Sequence, residues 1–249
     1  MEELPEKINM IAGLLDQSKY AVVLTGAGVS TESGIPDFRS PGSGLWTIID
    51  PELFTIGGFK ANPGAFYQAG TRFFRQIKDA EPNETHFVLA ELERRGLIKA
   101  IITQNVDGLH QKGGAEKVLE IHGTLSSASC IYCRRQVTVE EVIADVEEGL
   151  LPPLCLDCGE PLKPDVVLFG EPLSPDYGEA VEEAQRADLI IVIGSSMQVS
   201  PANQLPAWCD NLVIINRTST FYDQQARVVV NESAARVMRL LLEELDNRD

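Results

Sequence analysis

The 249-residue sequence predicts an α/β chain, a doubly wound parallel sheet carrying a small inserted lobe. Three observations predict it. Short continuous apolar runs recur along the chain with helical patterns between them, as strands buried on both faces require. A glycine-rich turn follows the first run. Two stretches then break the rhythm, and one of them holds four cysteines in two pairs.

Each element has its own reason. Leu4, Ile8, Ile11, Leu14 and Leu15 fall on one helical stripe. Ala21-Val22-Val23-Leu24 is a short apolar run ended by Gly26, and similar runs lie at 100–102, 118–121, 189–193, 212–215 and 228–230. Asn83 caps a helix running to Arg95 and closed by Gly96. Residues 175–187 carry Tyr177, Val181 and Ala184 at helical spacing, and 233–245 form an amphipathic last helix. Residues 31–80 are rich in Gly, Pro and aromatics and show no clear strand. Residues 125–164 hold the paired cysteines. The sheet domain is expected at 1–40, 81–124 and 165–249. A helical insert or flap at 41–80 and a four-cysteine module at 125–164 are expected to form the smaller lobe, with a ligand cleft between the two.

Composition narrows the class. With 44% hydrophobic and 23% charged residues the chain is globular. No apolar run approaches the ~20 residues that span a bilayer. The acidic start, Met1-Glu2-Glu3-Leu4-Pro5-Glu6-Lys7, lacks the layout of a signal peptide, so a cytoplasmic location is expected. A net charge of −16 disfavours direct nucleic-acid binding and would attract a cationic substrate, though solubility alone also accounts for it.

Cys130-x2-Cys133 and Cys155-x2-Cys158 match a four-cysteine zinc ribbon. Four thiolates complete a tetrahedron around one Zn²⁺ and leave no position for water, so such a site is structural. Cys209 stands apart as a plain thiol.

The turn Thr25-Gly26-Ala27-Gly28-Val29-Ser30 suits close approach of a pyrophosphate, but an ordinary tight turn fits as well. The dinucleotide pattern G-x-G-x-x-G is not met, since the next glycine is Gly34, and no acidic residue clearly ends the second strand to hold a ribose. An ordinary nicotinamide-dependent dehydrogenase therefore fits poorly. His122 stands at the C-terminal end of a predicted strand, where open α/β sheets gather ligands, and an imidazole suits removal of a hydroxyl proton near neutral pH.

More specific motifs follow. Ser33-Gly34-Ile35-Pro36-Asp37-Phe38-Arg39-Ser40 continues from the turn. Thr103-Gln104-Asn105-Val106-Asp107-Gly108-Leu109-His110, His122-Gly123, the four cysteines, the stretch from Pro164 to Glu171, Gly194-Ser195-Ser196 with Val199 and Pro201, and Ile215-Asn216 come after it in that order. This series resembles the sirtuin family of NAD-dependent protein deacylases, from about residue 20 to about 232. The resemblance implies a Rossmann-like domain joined to a small zinc lobe, with NAD as co-substrate and an acetyl-lysine protein or peptide meeting it in the cleft. It implies that the acyl oxygen attacks C1′ of the nicotinamide ribose, that nicotinamide leaves, and that a histidine base activates a ribose hydroxyl. Free lysine and O-acyl-ADP-ribose result.

The resemblance also assigns roles. His122 is the general base, and Asn105 orders the ribose or a water near the reacting carbon. Asp107 and the Val106 main chain hold the nicotinamide carboxamide, and Gln104 contacts a ribose. Gly26, Ala27, Gly28, Thr31, Phe38 and Arg39 touch NAD; Phe38 shields the reacting carbon from water and Arg39 offers fixed charge to phosphate. Gly194, Ser195 and Ser196 meet phosphate or ribose, and Asn216 the adenosine ribose, while no residue near 231 is assigned to adenine. Val167, Phe169, Gly170 and Glu171 on one side, and Val199 on the other, would sandwich an extended peptide by strand addition. Leu168 replaces a more usual aromatic and Lys163 a more usual arginine. The surroundings of Phe38 (Gly34, Pro36, Pro41, Gly42, Gly44) suggest a mobile flap. His110 is expected to be structural, and His86 to face a helix surface or its packing partner.

Members that prefer succinyl or malonyl lysine carry Tyr-x-x-Arg in the helix after the flap. Here Tyr67 is present but Gly70 stands where the arginine would be, so acetyl and other uncharged acyl groups are expected. Two other readings stay open: protein ADP-ribosylation from the same site, and a non-enzymatic zinc-ribbon adaptor.

Overall fold

Six apolar runs become six parallel strands. The computed structural model describes residues 3–40, 42 and 44–248; Met1, Glu2, Pro41 of the expected flap, Ser43 and Asp249 lie outside the described residues. The chain begins with α1 (Glu3–Gln17), β1 (Ala21–Thr25), short 3-10 turns, α2 (Ile56–Ala61), α3 (Pro63–Asp79) and α4 (Glu84–Arg94). Next come β2 (Ala100–Thr103), α5 (Leu109–Lys112), β3 (Val118–Glu120), β4 (Gly123–Cys130), β5 (Gln136–Thr138), α6 (Val139–Glu147) and β6 (Leu162–Val166). Last are α7 (Asp176–Arg186), β7 (Leu189–Ile193), a 3-10 segment Ala202–Trp208, β8 (Leu212–Ile215), β9 (Val228–Val230) and α8 (Ala234–Asp246).

The large sheet has the order β3-β2-β1-β7-β8-β9, every pair parallel. Strand alternation splits β1 between two cores. Ala21 and Val23 pack with α1, α4 and α8, while Val22 and Leu24 face Ala180 and Ala184 of α7. Both faces are covered, which is why these runs read as continuously apolar. The order reverses beside β1, so the chain leaves β1 and β7 toward opposite edges of the sheet, and the crevice lies over their C-terminal ends. No described helix is long and apolar enough to cross a membrane.

The smaller lobe is built from both inserts. Residues 41–80 supply α2 and α3. Asn62 caps α3 by accepting from Ala65 N at 3.0 Å, and Pro63 opens the helix. Residues 125–164 form a three-stranded antiparallel sheet, β5-β4-β6, with α6 beside it. The sequence reading gave no strands here. Gly123–Cys130 is Gly-Thr-Leu-Ser-Ser-Ala-Ser-Cys, poor in β-branched residues, so its pairing rests on tertiary contacts rather than on propensity. Phe59, Phe66, Tyr67 and Phe74 form the lobe's centre with Leu125, Ala128 and Leu162. Strands β4 and β6 straddle the expected boundaries at 124/125 and 164/165.

Candidate functional site

A cavity of about 780 Å³ opens between the C-terminal ends of the large sheet and the smaller lobe. Every residue expected to act as base, to meet NAD or to meet peptide lines it, from Gly26 and Ala27 through Asn105 and His122 to Val199 and Asn216. The four cysteines lie away from it.

The glycine turn does more than admit a ligand. A Cβ on Gly28 would stand 2.7 Å from Gly194 Cα, and Gly28 N donates to Gly194 O at 2.8 Å. Gly194 has φ +63° and would drive a Cβ to 2.5 Å from Val29 N. Two backbones touch here, so glycine is required on both sides. Ser195 Oγ, buried beside them, accepts from Gln104 Nε2 at 2.9 Å. At the far end Asn216 Nδ2 donates to Thr218 O at 2.8 Å, and Glu232 and Ala234, which the sequence did not assign, line the wall.

A polar centre lies between the turn and the end of β2. Ser30 Oγ donates to Asp107 Oδ2 at 2.7 Å and accepts from Asn105 Nδ2 at 3.1 Å. Asp107 Oδ1 accepts from Leu109 N at 3.0 Å. Ser30 thus ties the two polar residues of the Gln104–His110 motif to the glycine turn. Sequence reasoning missed it, and its only signal was a hydroxyl at the end of that turn.

His122 Nδ1 lies 3.0 Å from Gln104 O. A carbonyl only accepts, so Nδ1 carries the proton and Nε2 keeps a bare lone pair. Burial, partly opposed by that hydrogen bond, holds the imidazole below the usual histidine range, which keeps it neutral and basic at physiological pH. His110 is buried beneath the centre. Its Nε2 lies 2.9 Å from Thr25 Oγ1, which donates to Thr103 Oγ1 at 2.8 Å, and Thr103 Oγ1 accepts from Asn105 N at 3.1 Å. Burial pushes the His110 imidazole down to about 3. Of the two places expected for His86, a packing partner is the one observed: it is fully buried, its Nδ1 accepting from Asn83 N and its ring edge-on to His110 at 5.0 Å.

The loop after the turn folds over the cavity. Trp46 N donates to Phe38 O at 3.1 Å, and a Cβ on Gly44 would meet Arg39 N at 2.7 Å. The Phe38 ring packs on Trp46 at 5.2 Å and Phe73 at 6.1 Å, and Trp46 reaches Phe169 at 6.1 Å. Trp46 therefore links the expected cofactor loop to the expected peptide strip, a role that its place in the Gly-Pro-rich stretch did not reveal. Arg39 makes no side-chain hydrogen bond or ion pair among the described residues, leaving its charge available to an anion.

The segment expected to meet peptide is partly paired within the chain. Phe169 N donates to Phe54 O at 3.0 Å and Phe169 O accepts from Ile56 N at 2.9 Å. Val167 N donates to His122 O at 2.7 Å. Val167 C=O and both main-chain groups of Gly170 make no backbone hydrogen bond among the described residues. Across the cleft Val199 O accepts from Asn203 N at 2.9 Å.

In the smaller lobe the sulfurs of Cys130, Cys133, Cys155 and Cys158 all lie within 4.8 Å of one another. Cys130 and Cys158 are 3.4 Å apart, and Cys133 is 3.6 Å from Cys155. Tetrahedral zinc with sulfur at ~2.3 Å spaces its sulfurs by about 3.8 Å, so the set fits that ion. Tyr132 N and Cys133 N both donate to Cys130 Sγ at 3.4 Å, as thiolate needs.

The chain matches the Sir2 family over residues 26–201. It is 48% identical over 229 residues to NAD-dependent protein deacetylase 2 of Caldanaerobacter subterraneus subsp. tengcongensis, with 92% of each chain covered. The chain belongs to the Sir2 family. This Sir2-family chain is also 42% identical over 252 residues to NAD-dependent protein deacylase 2 of Archaeoglobus fulgidus, covering 97% of each. A solved Sir2 complex with p53 peptide and NAD+ superposes with a TM-score of 0.89 at 40% identity, covering 94% of this chain and 97% of that one. The doubly wound sheet and the inserted four-cysteine lobe are thus those of the family.

Proposed function

We propose that this chain is an NAD-dependent protein lysine deacetylase, releasing nicotinamide, O-acetyl-ADP-ribose and free lysine. The reaction is an acyl transfer, because the acetyl group ends on the sugar rather than on water. One observation carries the reading: a half-buried, neutral imidazole whose proton is held on Nδ1 lines the same cavity as Asn105, Asp107 and the peptide strip.

When bound, NAD supplies a ribose carbon whose nicotinamide substituent is a leaving group. The protein's residues do the rest. His122 Nε2 accepts a proton from a ribose hydroxyl, and the Gln104 carbonyl orients the ring and stabilises the imidazolium that forms. Asp107, Asn105 and the Val106 main chain face the nicotinamide end. Asp107 holds its carboxylate with one oxygen on Ser30 and the other on Leu109 N. Phe38, braced by Trp46 and Phe73, excludes water from the reacting carbon. Arg39 faces phosphate. The free main-chain groups of Val167 and Gly170 receive the peptide backbone and bring its acyl-lysine alongside.

The test mixes the protein, NAD and an acetyl-lysine peptide, with His122→Ala as control. Free nicotinamide and deacetylated peptide are expected in equal amounts from the parent alone. A gain of ADP-ribose mass on protein without deacetylation would replace this reading with ADP-ribosyl transfer. No NAD consumption at all would favour a non-enzymatic adaptor.

A further inference from the structure

One ammonium behind the 166–171 segment has no part in the chemistry above, yet its surroundings are built closely around it. Lys163 sits in β6, paired with Ser129 of β4, and its side chain is only 15% exposed. Its Nζ donates to Val166 O at 2.8 Å, to Pro164 O at 3.0 Å and to Glu171 Oε2 at 3.1 Å. An ammonium has three N–H groups, and all three are used. Glu171 Oε2 also accepts from Leu168 N at 2.9 Å, and Glu171 N donates to Leu168 O at 3.0 Å. One cation therefore holds the first residue of the 166–171 loop by its carbonyl and the last by its carboxylate.

This closure matters because of what it leaves open. Phe169 is fastened to Phe54 and Ile56 through both main-chain groups. Lys163 fastens the two ends. Between these anchors Val167 C=O and the Gly170 peptide groups make no backbone hydrogen bond among the described residues, and Gly170 holds φ +88°. The Glu171 carboxylate spends Oε2 on both Lys163 Nζ and Leu168 N. We propose that Lys163 is the positioning residue of the peptide strip: it clamps Val166 to Glu171 so that the free edges of Val167 and Gly170 meet the substrate backbone. The proposal rests on the deacetylase reading for its substrate, but the clamp itself is a property of this chain.

The clamp predicts an effect confined to peptide. Lys163→Met removes all three donors and leaves Glu171 beside an apolar chain, whereas Lys163→Arg keeps a cation able to bridge the Val166 carbonyl and the Glu171 carboxylate. Steady-state kinetics with acetyl peptide and NAD varied separately read this. Lys163→Met is expected to raise KM for peptide about tenfold or more, with KM for NAD and kcat at saturating peptide within about twofold of the parent. Lys163→Arg is expected to restore peptide KM to within about threefold. Glu171→Gln, which keeps every side-chain volume, is expected to move peptide KM in the same direction, and it decides the matter should Lys163→Met fail to fold. An unchanged peptide KM in a folded Lys163→Met or Glu171→Gln protein overturns the proposal, as does a parallel loss in the NAD parameters. If the parent turns over no peptide, the functional reading fails separately. Calorimetric binding of the same acetyl peptide to parent and variants then supports the clamp if the variants bind it about tenfold more weakly, and overturns it if they bind equally.

Discussion

The proton on His122 Nδ1 is pinned by the Gln104 carbonyl 3.0 Å away, so the ring's other nitrogen is the one left to accept a proton. Two residues 18 apart in sequence settle a tautomer that neither determines alone. Burial also holds this imidazole below the ordinary value of about 6.5. As the base must be unprotonated, activity is full above its pKa and falls as pH drops through it. A profile of kcat/KM against pH is expected to lose its acid limb below pH 6.5. His122→Ala is expected to lower the rate by about 100-fold to 10,000-fold at every pH. An acid midpoint clearly above 6.5 would contradict the assignment.

Ser30 is the hub between Asn105 and Asp107. Ser30→Ala leaves one Asp107 oxygen and one Asn105 N–H without their partner, and Asn105 itself is buried. A stability loss of about 1–2 kcal/mol is expected, read by urea unfolding. Kinetically, kcat/KM for NAD is expected to fall about tenfold or more. Wild-type NAD kinetics in this variant would show that the hub does not order the site.

His110 makes stability depend on pH. The unfolded chain binds a proton at this side chain below about 6.5, but the folded chain does not until about 3. Stability is therefore whole above 6.5 and is lost as pH falls. His110 alone is expected to cost about 2 kcal/mol between pH 7 and pH 5, and His86, shifted downward by the same burial, adds to it. Denaturant titrations of parent and His110→Gln at the two pH values measure this. The variant is expected to show the smaller difference.

The four cysteines are expected to hold one zinc per chain, countable by atomic absorption. Stripping the metal with a strong chelator is expected to lower the melting temperature by about 10 °C or more and to abolish activity, since β4 ends on Cys130 and pairs with β6, which leads directly into residues 167–171. Full activity in a metal-free preparation would refute a structural metal.

Gly70 bears on the acyl group. A Cβ there would stand 2.7 Å from the Phe74 ring, and Phe66 and Phe74 on the same helix line the cavity. Tyr67 is buried instead, its hydroxyl donating to Leu162 O at 2.8 Å. This wall offers a carboxylate no cation and an aromatic surface, so kcat/KM for succinyl peptide is expected to lie at least about tenfold below that for acetyl peptide. A direct comparison of the two peptides checks it.

Much of this was legible in the sequence because it is local. Runs such as 189–193 are apolar throughout when both faces of a strand are covered, and Asn83 or Ser233 announces a helix by a side chain that reaches only two or three residues onward. The cysteine spacing and the order of the motifs are likewise properties of the chain. The strands β4, β5 and β6 were not legible, since Ser, Gly and Cys pair there only because a partner strand and an aromatic core hold them.

The sequence by itself determined the alternation of strand and helix and the paired-cysteine set, because periodicity, capping and spacing act over a few residues, while the residues at the strand ends were assigned by the resemblance of the ordered motifs. Only the tertiary structure decided that Ser30 joins Asn105 to Asp107, that His122 carries its proton on Nδ1, that Trp46 bridges two loops and that Lys163 ties Val166 to Glu171. Each of those depends on donors and acceptors brought within about 3 Å from distant parts of the chain, and a hydrogen bond has no strength until the fold has closed that distance.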